Sequence, residues 1–129
     1  MSSKSLYKHI EHARSLFLLL IKASKLNGTR GACLYSCVFL KQYLDKFTDV
    51  TDATIKGGSG HCGVLVDGEW RGHYWCEGDV NGEPWVFDIT IDQFVSSPFI
   101  CEPKDTLLLQ YASGPQDVID QHVLEMGFR

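Results

Sequence analysis

Residues 73–90 have the sequence HYWCEGDVNGEPWVFDIT, and this stretch decides how the second half of the chain folds. Asn81-Gly82 is a residue pair favoured by two-residue hairpin turns, because both central positions of a type I′ turn need a positive φ. Aromatic and β-branched side chains on either side of it are typical of strands. The segment therefore predicts an antiparallel hairpin, with one strand over 69–80 and the next over 84–89.

If this hairpin forms, it brings the side chains of His73 and Asp88 close together. A two-residue loop at Asn81-Gly82 pairs residues placed symmetrically about it, so Asp88 lies opposite Trp75. His73 is then diagonal to Asp88 on the same face, within reach of a hydrogen bond. Asp88 stands in an apolar run, where a carboxylate is costly unless it is paired. A register slip of one residue would put the two side chains on opposite faces.

Cys33 begins a second predicted helix, where unpaired N–H groups and the macrodipole favour a thiolate. Cys37 lies one turn further along the same face, and we expect it to pack as a small apolar residue. A thiol at a helix start, with an imidazole and a carboxylate on neighbouring strands, suits covalent acyl transfer. Cys33, His73 and Asp88 are therefore the candidate catalytic residues.

These two segments together resemble the transglutaminase-like superfamily over about residues 29–91. Its members typically show a His-x-Trp start, a turn, a Trp or Tyr, and an Asp-x-Thr end. The matching residues are His73, Trp75, Asn81-Gly82, Trp85, Asp88 and Thr90. Gly31-Ala32-Cys33 is similar to the Gly-x-Cys that opens the family's nucleophile helix. Tyr74, Cys76 and Ile89 depart from the family's usual residues.

The resemblance implies a papain-like α+β core with a Cys-His-Asp triad that acts through a thioester. The superfamily includes protein crosslinkers, proteases, deamidases, amide-cleaving enzymes and acetyltransferases. The implied substrate is therefore a protein or peptide with an amide or a glutamine side chain. The resemblance implies no cofactor.

Further candidate residues surround the predicted triad. The backbone N–H of Cys33 is one oxyanion donor, and the side chain of Asn27 is either a second donor or a helix cap. Gly72, Tyr74 and Trp75 are candidates for the substrate groove. Glycines at 57, 58, 60 and 72 fit either a mobile rim or plain turns.

The remaining patterns predict an α+β fold in which N-terminal helices pack on an antiparallel sheet, as a single domain over 1–129. Apolar residues at helical spacing predict helices over 4–26 and 32–46, and a last helix after Gly114-Pro115 with Val118, Ile119, Val123 and Leu124 as its apolar face. Strands are also expected over 50–56, 61–66 and 106–111, with a flexible loop over 57–60.

Composition narrows the possible functions. A net charge of -4 leaves no basic surface for nucleic acid. The apolar stretch 16–21 is too short to cross a membrane, so we expect a cytoplasmic protein, with a secreted effector as the alternative. The five cysteines lack the regular spacing of a disulfide framework and are expected to be free thiols.

Two other interpretations stay open at this stage. His61, Cys62, His73 and Cys76 offer zinc-ligand types at short spacing, although adjacent strand residues point to opposite faces. The chain could also be an inactive transglutaminase-like module that binds a peptide or protein in the same groove.

Overall fold

The computed structural model describes residues 2–23, 32–59 and 61–125. Within these ranges the chain forms three helices and seven strands. They are α1 (Ser3–Ala23), α2 (Cys33–Phe47), β1 (Thr51–Gly58), β2 (Gly63–Val66), β3 (Glu69–Arg71), β4 (His73–Val80), β5 (Glu83–Asp88), β6 (Ile100–Pro103), β7 (Gln110–Ala112) and α3 (Gln116–Glu125). Short 3-10 turns occupy Ile91–Gln93 and Lys104–Thr106. The expected α+β class with antiparallel strands is confirmed at this level.

The strands form two antiparallel sheets where the sequence predicted one. The larger sheet has the order β1-β4-β5-β6, and the smaller has the order β3-β2-β7. The prediction of a single strand over 69–80 is wrong. The structure has two strands there, β3 and β4, because the chain passes from the small sheet to the large one at Gly72. A Cβ at Gly72 would lie 3.3 Å from the carbonyl oxygen of Gly58 and from Cα of Ser59, so the backbones approach closely at this crossing.

The helices cover one face of the large sheet. The buried side chains of α1 recur every three or four residues, at Leu6, Ile10, Ala13, Phe17 and Ile21. Leu20, next to Ile21 in the sequence, is half exposed. Helix α2 packs on β4 and β1, and the helices and sheet together enclose the main core.

The other face of the large sheet forms a second core. It contains Trp75 and Val86 from β4 and β5, Val64 from the small sheet, and Ile91 and Ile100. Strands β4 and β5 therefore have apolar packing on both faces, which explains why no residue of β4 is exposed and why the last four residues of β5 are all buried. A polar side chain on either face of these strands must find its partner inside the protein.

Several predicted boundaries differ from the structure. Gly57 and Gly58, expected in a loop, end β1, and β2 starts only at Gly63. The strand predicted over 106–111 is reduced to β7 because Lys104–Thr106 forms a 3-10 turn, and β6 was not predicted at all. Short strands that end in proline or a turn give little periodic signal.

Helix α3 has a narrower buried face than predicted. Ile119 is buried and Val123 packs against the main core, whereas Val118 and Leu124 are about half exposed. The helix lies mainly against β1, so only one stripe of it is covered. No helix in the described parts of the chain has both the length and the hydropathy needed to cross a membrane.

Candidate active site

The hairpin of β4 and β5 has the predicted register. Cys76 pairs with Phe87, and Val80 pairs with Glu83 next to the turn. Asn81 and Gly82 have φ values of 53° and 81°, so both central turn positions are left-handed, as a type I′ turn requires. The same register, continued by one residue, brings Asp88 opposite Trp75.

The predicted contact between His73 and Asp88 is confirmed. His73 Nε2 lies 2.7 Å from Asp88 Oδ2, and each residue is only 1% exposed. An ionised carboxylate only accepts hydrogen bonds, so this contact assigns the Nε2 proton to the imidazole. Two buried polar side chains thus satisfy each other inside the second core.

Asp88 has further hydrogen-bond donors. The hydroxyl of Tyr111 donates to Oδ2 at 2.9 Å, and the backbone N–H of Thr90 donates to Oδ1 at 3.0 Å. The Tyr111 contact was missed at the sequence level, because no local pattern shows that a side chain of β7 reaches Asp88. Asp-x-Thr, by contrast, is a short motif whose own turn can supply the second contact.

Aromatic rings hold the His73 imidazole on two sides. The ring of Trp75 lies nearly parallel to it at 6.3 Å between centroids, and Phe94 meets it edge-on at 5.2 Å. Trp75 was expected in the substrate groove, but it is 1% exposed and its indole N–H donates to Glu77 Oε2 at 2.8 Å. In this structure Trp75 is a core residue that supports His73.

The second ring nitrogen of His73, Nδ1, has no hydrogen-bond partner among the described residues. Nδ1 is also buried. Cys33, the first residue of α2, lies near enough to the ring to raise the pKa of His73. Because Nδ1 has no hydrogen-bond partner among the described residues, Cys33 and the ring are neighbours that do not form a hydrogen bond in this structure.

Opposing effects set the protonation of His73. Burial disfavours the charged ring and lowers the pKa, but the charge of Asp88 and its hydrogen bond outweigh burial, and Cys33 adds to them. Together they raise the pKa of His73 to about 9. The ring is therefore an imidazolium at neutral pH.

All five cysteines are free thiols, but their environments differ. Cys33 and Cys62 are partly accessible, while Cys37, Cys76 and Cys101 are buried. Burial raises the pKa of Cys37 well above its ordinary value, and the hydrogen bond and charge of Cys76 add to this effect. Cys37 therefore packs as an apolar residue, as predicted.

Tyr74 lies on the helix-facing side of β4, beside α2. Its hydroxyl hydrogen-bonds to His122 Nδ1 at 2.8 Å, which connects α3 to the strand that carries His73. Burial, followed by the charges of Cys33 and Cys37, raises the pKa of Tyr74. Tyr74 and the exposed Gly72 both lie next to His73 in sequence, and their groove role stays a prediction.

Asn27 and Gly31 lie outside the described residues, so the structure gives no position for the predicted oxyanion side chain. The proposed zinc ligands are not brought together. His73 Nε2 is bound to Asp88, while the thiol of Cys76, on the opposite face of β4, donates to the carbonyl of Cys37 at 3.4 Å. The described residues contain no group of three or more His, Cys, Asp or Glu side chains that could hold a metal ion.

A separate cavity of about 470 Å³ lies between α2, β1 and α3. Apolar side chains such as Val38, Ile55 and Val123 line it, and Lys41 and Asp120 are among its polar lining residues. Cys33, His73 and Asp88 do not line it.

No protein-family model, curated protein or solved structure matches this chain.

Proposed function

We propose that this protein is a cysteine-dependent acyl-transfer enzyme, with Cys33 as nucleophile, His73 as general acid and base, and Asp88 as the group that orients the imidazole. One observation carries the proposal. The buried 2.7 Å contact between His73 and Asp88 uses Nε2 and leaves Nδ1 without a partner among the described residues, and the Cys33 thiol, at the start of α2, lies near enough to act on the same ring.

The charge state of His73 favours an ion pair with Cys33. An imidazolium beside the sulfur stabilises the thiolate, which is the nucleophilic form of cysteine. Asp88 stabilises the imidazolium and fixes its orientation. The first turn of α2 adds backbone N–H groups that have no acceptor within the helix.

Acylation begins when the Cys33 sulfur attacks the carbonyl carbon of an amide. A C–S bond forms, and the carbonyl electron pair moves onto oxygen, where the backbone N–H of Cys33 is a candidate donor. When the intermediate collapses, the C–N bond breaks and His73 gives its proton to the leaving amine. The products of this half-reaction are a thioester and a free amine.

Deacylation reverses these roles. His73, now neutral, takes a proton from an incoming water or amine as that nucleophile attacks the thioester carbon. The C–S bond breaks and the thiolate is restored beside the imidazolium. Water gives hydrolysis or deamidation, and an amine gives transfer. The substrate class, a protein or peptide with an amide or glutamine side chain, follows from the transglutaminase-like resemblance.

Covalent labelling tests this proposal directly, because the chain contains its own control thiol. Cys33 and Cys62 are both partly accessible, but of these two thiols it is Cys33 that contributes to the raised pKa of His73. We expect an activated aryl ester at pH 6.5–7 to acylate Cys33 at least about tenfold faster than Cys62. Intact-mass spectrometry followed by peptide mapping measures both rates.

Two variants complete the test. Cys33→Ala should keep the fold and abolish acyl-enzyme formation, and His73→Ala should bring the rate at Cys33 down towards that at Cys62. Equal acylation of the two thiols in the unaltered protein would contradict an activated nucleophile and favour an inactive binding module.

A further inference from the structure

The Asp88 carboxylate receives hydrogen bonds from two different sheets. Oδ2 accepts from His73 at 2.7 Å and from the Tyr111 hydroxyl at 2.9 Å. His73 belongs to the large sheet, whereas Tyr111 lies on β7 of the small sheet, where it pairs with Val64. The two donors therefore compete for the same oxygen.

Asp88 is also held at its other oxygen. The Thr90 N–H donates to Oδ1 at 3.0 Å, and the Thr90 hydroxyl lies 3.5 Å from the same atom. These contacts come from the chain segment next to Asp88. They fix the orientation of the carboxylate without Tyr111.

The Tyr111 side chain has a fixed place and a fixed charge state. Its ring packs against Trp75 at 4.7 Å between centroids, and Trp75 in turn lies against the His73 ring. Burial, followed by the charge of Asp88 and the hydrogen bond to it, holds the pKa of Tyr111 far above its ordinary value. Tyr111 is thus a neutral donor throughout the working pH range.

Given the proposed function, we infer that Tyr111 is a positioning residue that tunes the acid-base strength of His73 through the shared oxygen of Asp88. A donor to Oδ2 spreads the carboxylate charge and weakens the attraction between Asp88 and the imidazolium. Tyr111 therefore makes His73 a stronger acid than a His-Asp pair alone would, which favours proton delivery to the leaving amine.

Other titratable groups interact with His73, Asp88 or Tyr111. Helix α2 contributes Cys33, whose charge affects His73, and Cys37, which is affected by the charge of Asp88. On β6, Glu102 acts on Tyr111. Because the Cys33 thiol adds to the effects that raise the pKa of His73, the test removes that thiol first.

The test follows the imidazole of His73 by NMR in the full chain with Cys33→Ala, using ring-labelled histidine assigned with His73→Gln. In Tyr111→Phe, Asp88 keeps its Thr90 contacts but loses one donor. We expect the His73 midpoint to move upward by about half a pH unit. Tyr111→3-fluorotyrosine keeps the hydroxyl and makes it a stronger donor, so the midpoint should move downward.

Tyr43→Phe is the matched control. Tyr43 is also buried, and its hydroxyl is hydrogen-bonded to His9 at 3.2 Å rather than to Asp88. Its removal should leave the His73 midpoint unchanged. An unchanged or lower midpoint in Tyr111→Phe, or an upward shift with 3-fluorotyrosine, would overturn the inference.

The titration needs no substrate and no thiol. An unreactive Cys33 would overturn the proposed function, and the response of His73 to Tyr111 could still be measured. In the protein that retains Cys33, the alkaline limb of the acylation rate should move in the same direction as the midpoint.

Discussion

The proton on His73 is held by Asp88 against the effect of burial. The native ring keeps this proton up to about pH 9, whereas a histidine in the unfolded chain loses it near 6.5. Between these values the native state binds more protons than the unfolded state, so the free energy of unfolding falls as pH rises. The contribution is complete below about pH 6.5 and is lost as pH rises through about 9.

This linkage gives a prediction for stability. The pKa difference corresponds to about 3 kcal/mol. We expect the difference in unfolding free energy between the unaltered protein and His73→Gln to shrink by about this amount between about pH 6 and about pH 10. Urea unfolding at intervals of pH measures both curves.

The comparison with His73→Gln is needed because buried thiols add a slope of the same sign. Burial raises the pKa values of Cys37 and Cys101, the latter to about 12, so both also destabilise the native state at high pH. Their effect is common to both proteins and cancels in the difference. A constant difference across this range would mean that the pKa of His73 is the same in the native and the unfolded state, so that Asp88 does not hold the proton.

At the level of single elements, the β4–β5 hairpin could be predicted well from sequence. Asn81-Gly82 is a strong local signal for one turn type, and that turn sets the register. The alternation of side chains then places His73 and Asp88 on one face. Two local rules thus predict a contact between residues fifteen positions apart.

The two tight hairpins offer a matched pair of glycines. Gly82 and Gly68 have φ values of 81° and 79°, and a Cβ at either would meet nothing within 4 Å. The cost of alanine at each is therefore backbone strain alone. We expect Gly82→Ala and Gly68→Ala to lower the free energy of unfolding by similar amounts, about 1–2 kcal/mol each, in urea titrations.

Because neither substitution touches the site, both variants should still acylate at Cys33 at close to the original rate. A much larger loss for Gly82→Ala would mean that its turn, unlike that of Gly68, limits the stability of the whole large sheet.

For the whole molecule, sequence reasoning gave the class but not the sheet arrangement. Alternation identifies strands, but it does not show which strands pair over long distances. The break at Gly72 and the position of Tyr111 depend on such pairings. Both lie where the small sheet packs against the large one, and no local pattern contains that information.

Gly63 tests how the two sheets are joined. It begins β2 with a φ of 133°, and a Cβ there would lie 2.0 Å from the carbonyl oxygen of Arg71 and 3.0 Å from the backbone nitrogen of His73. These neighbours are backbone atoms that cannot rotate away. Gly63→Ala should cost at least about 3 kcal/mol, measured by urea unfolding.

The same variant should also lose the selective acylation of Cys33, because the backbone it displaces carries His73. Gly68→Ala, on the same small sheet but in open space, is the control. Normal stability and labelling in Gly63→Ala would show that the two sheets are joined more loosely than the structure has them.

The Asp88 carboxylate, which accepts hydrogen bonds from both sheets, has a consequence for how the protein folds. In a partly unfolded chain in which β7 has not docked, Asp88 is open to water, and the screening of its charge by water outweighs the loss of the competing Tyr111 donor, so the carboxylate holds the imidazolium less strongly. The sulfur would then gain its full reactivity only once β7 has docked. Newly made chains would thus be protected from acylating themselves or their neighbours while they mature.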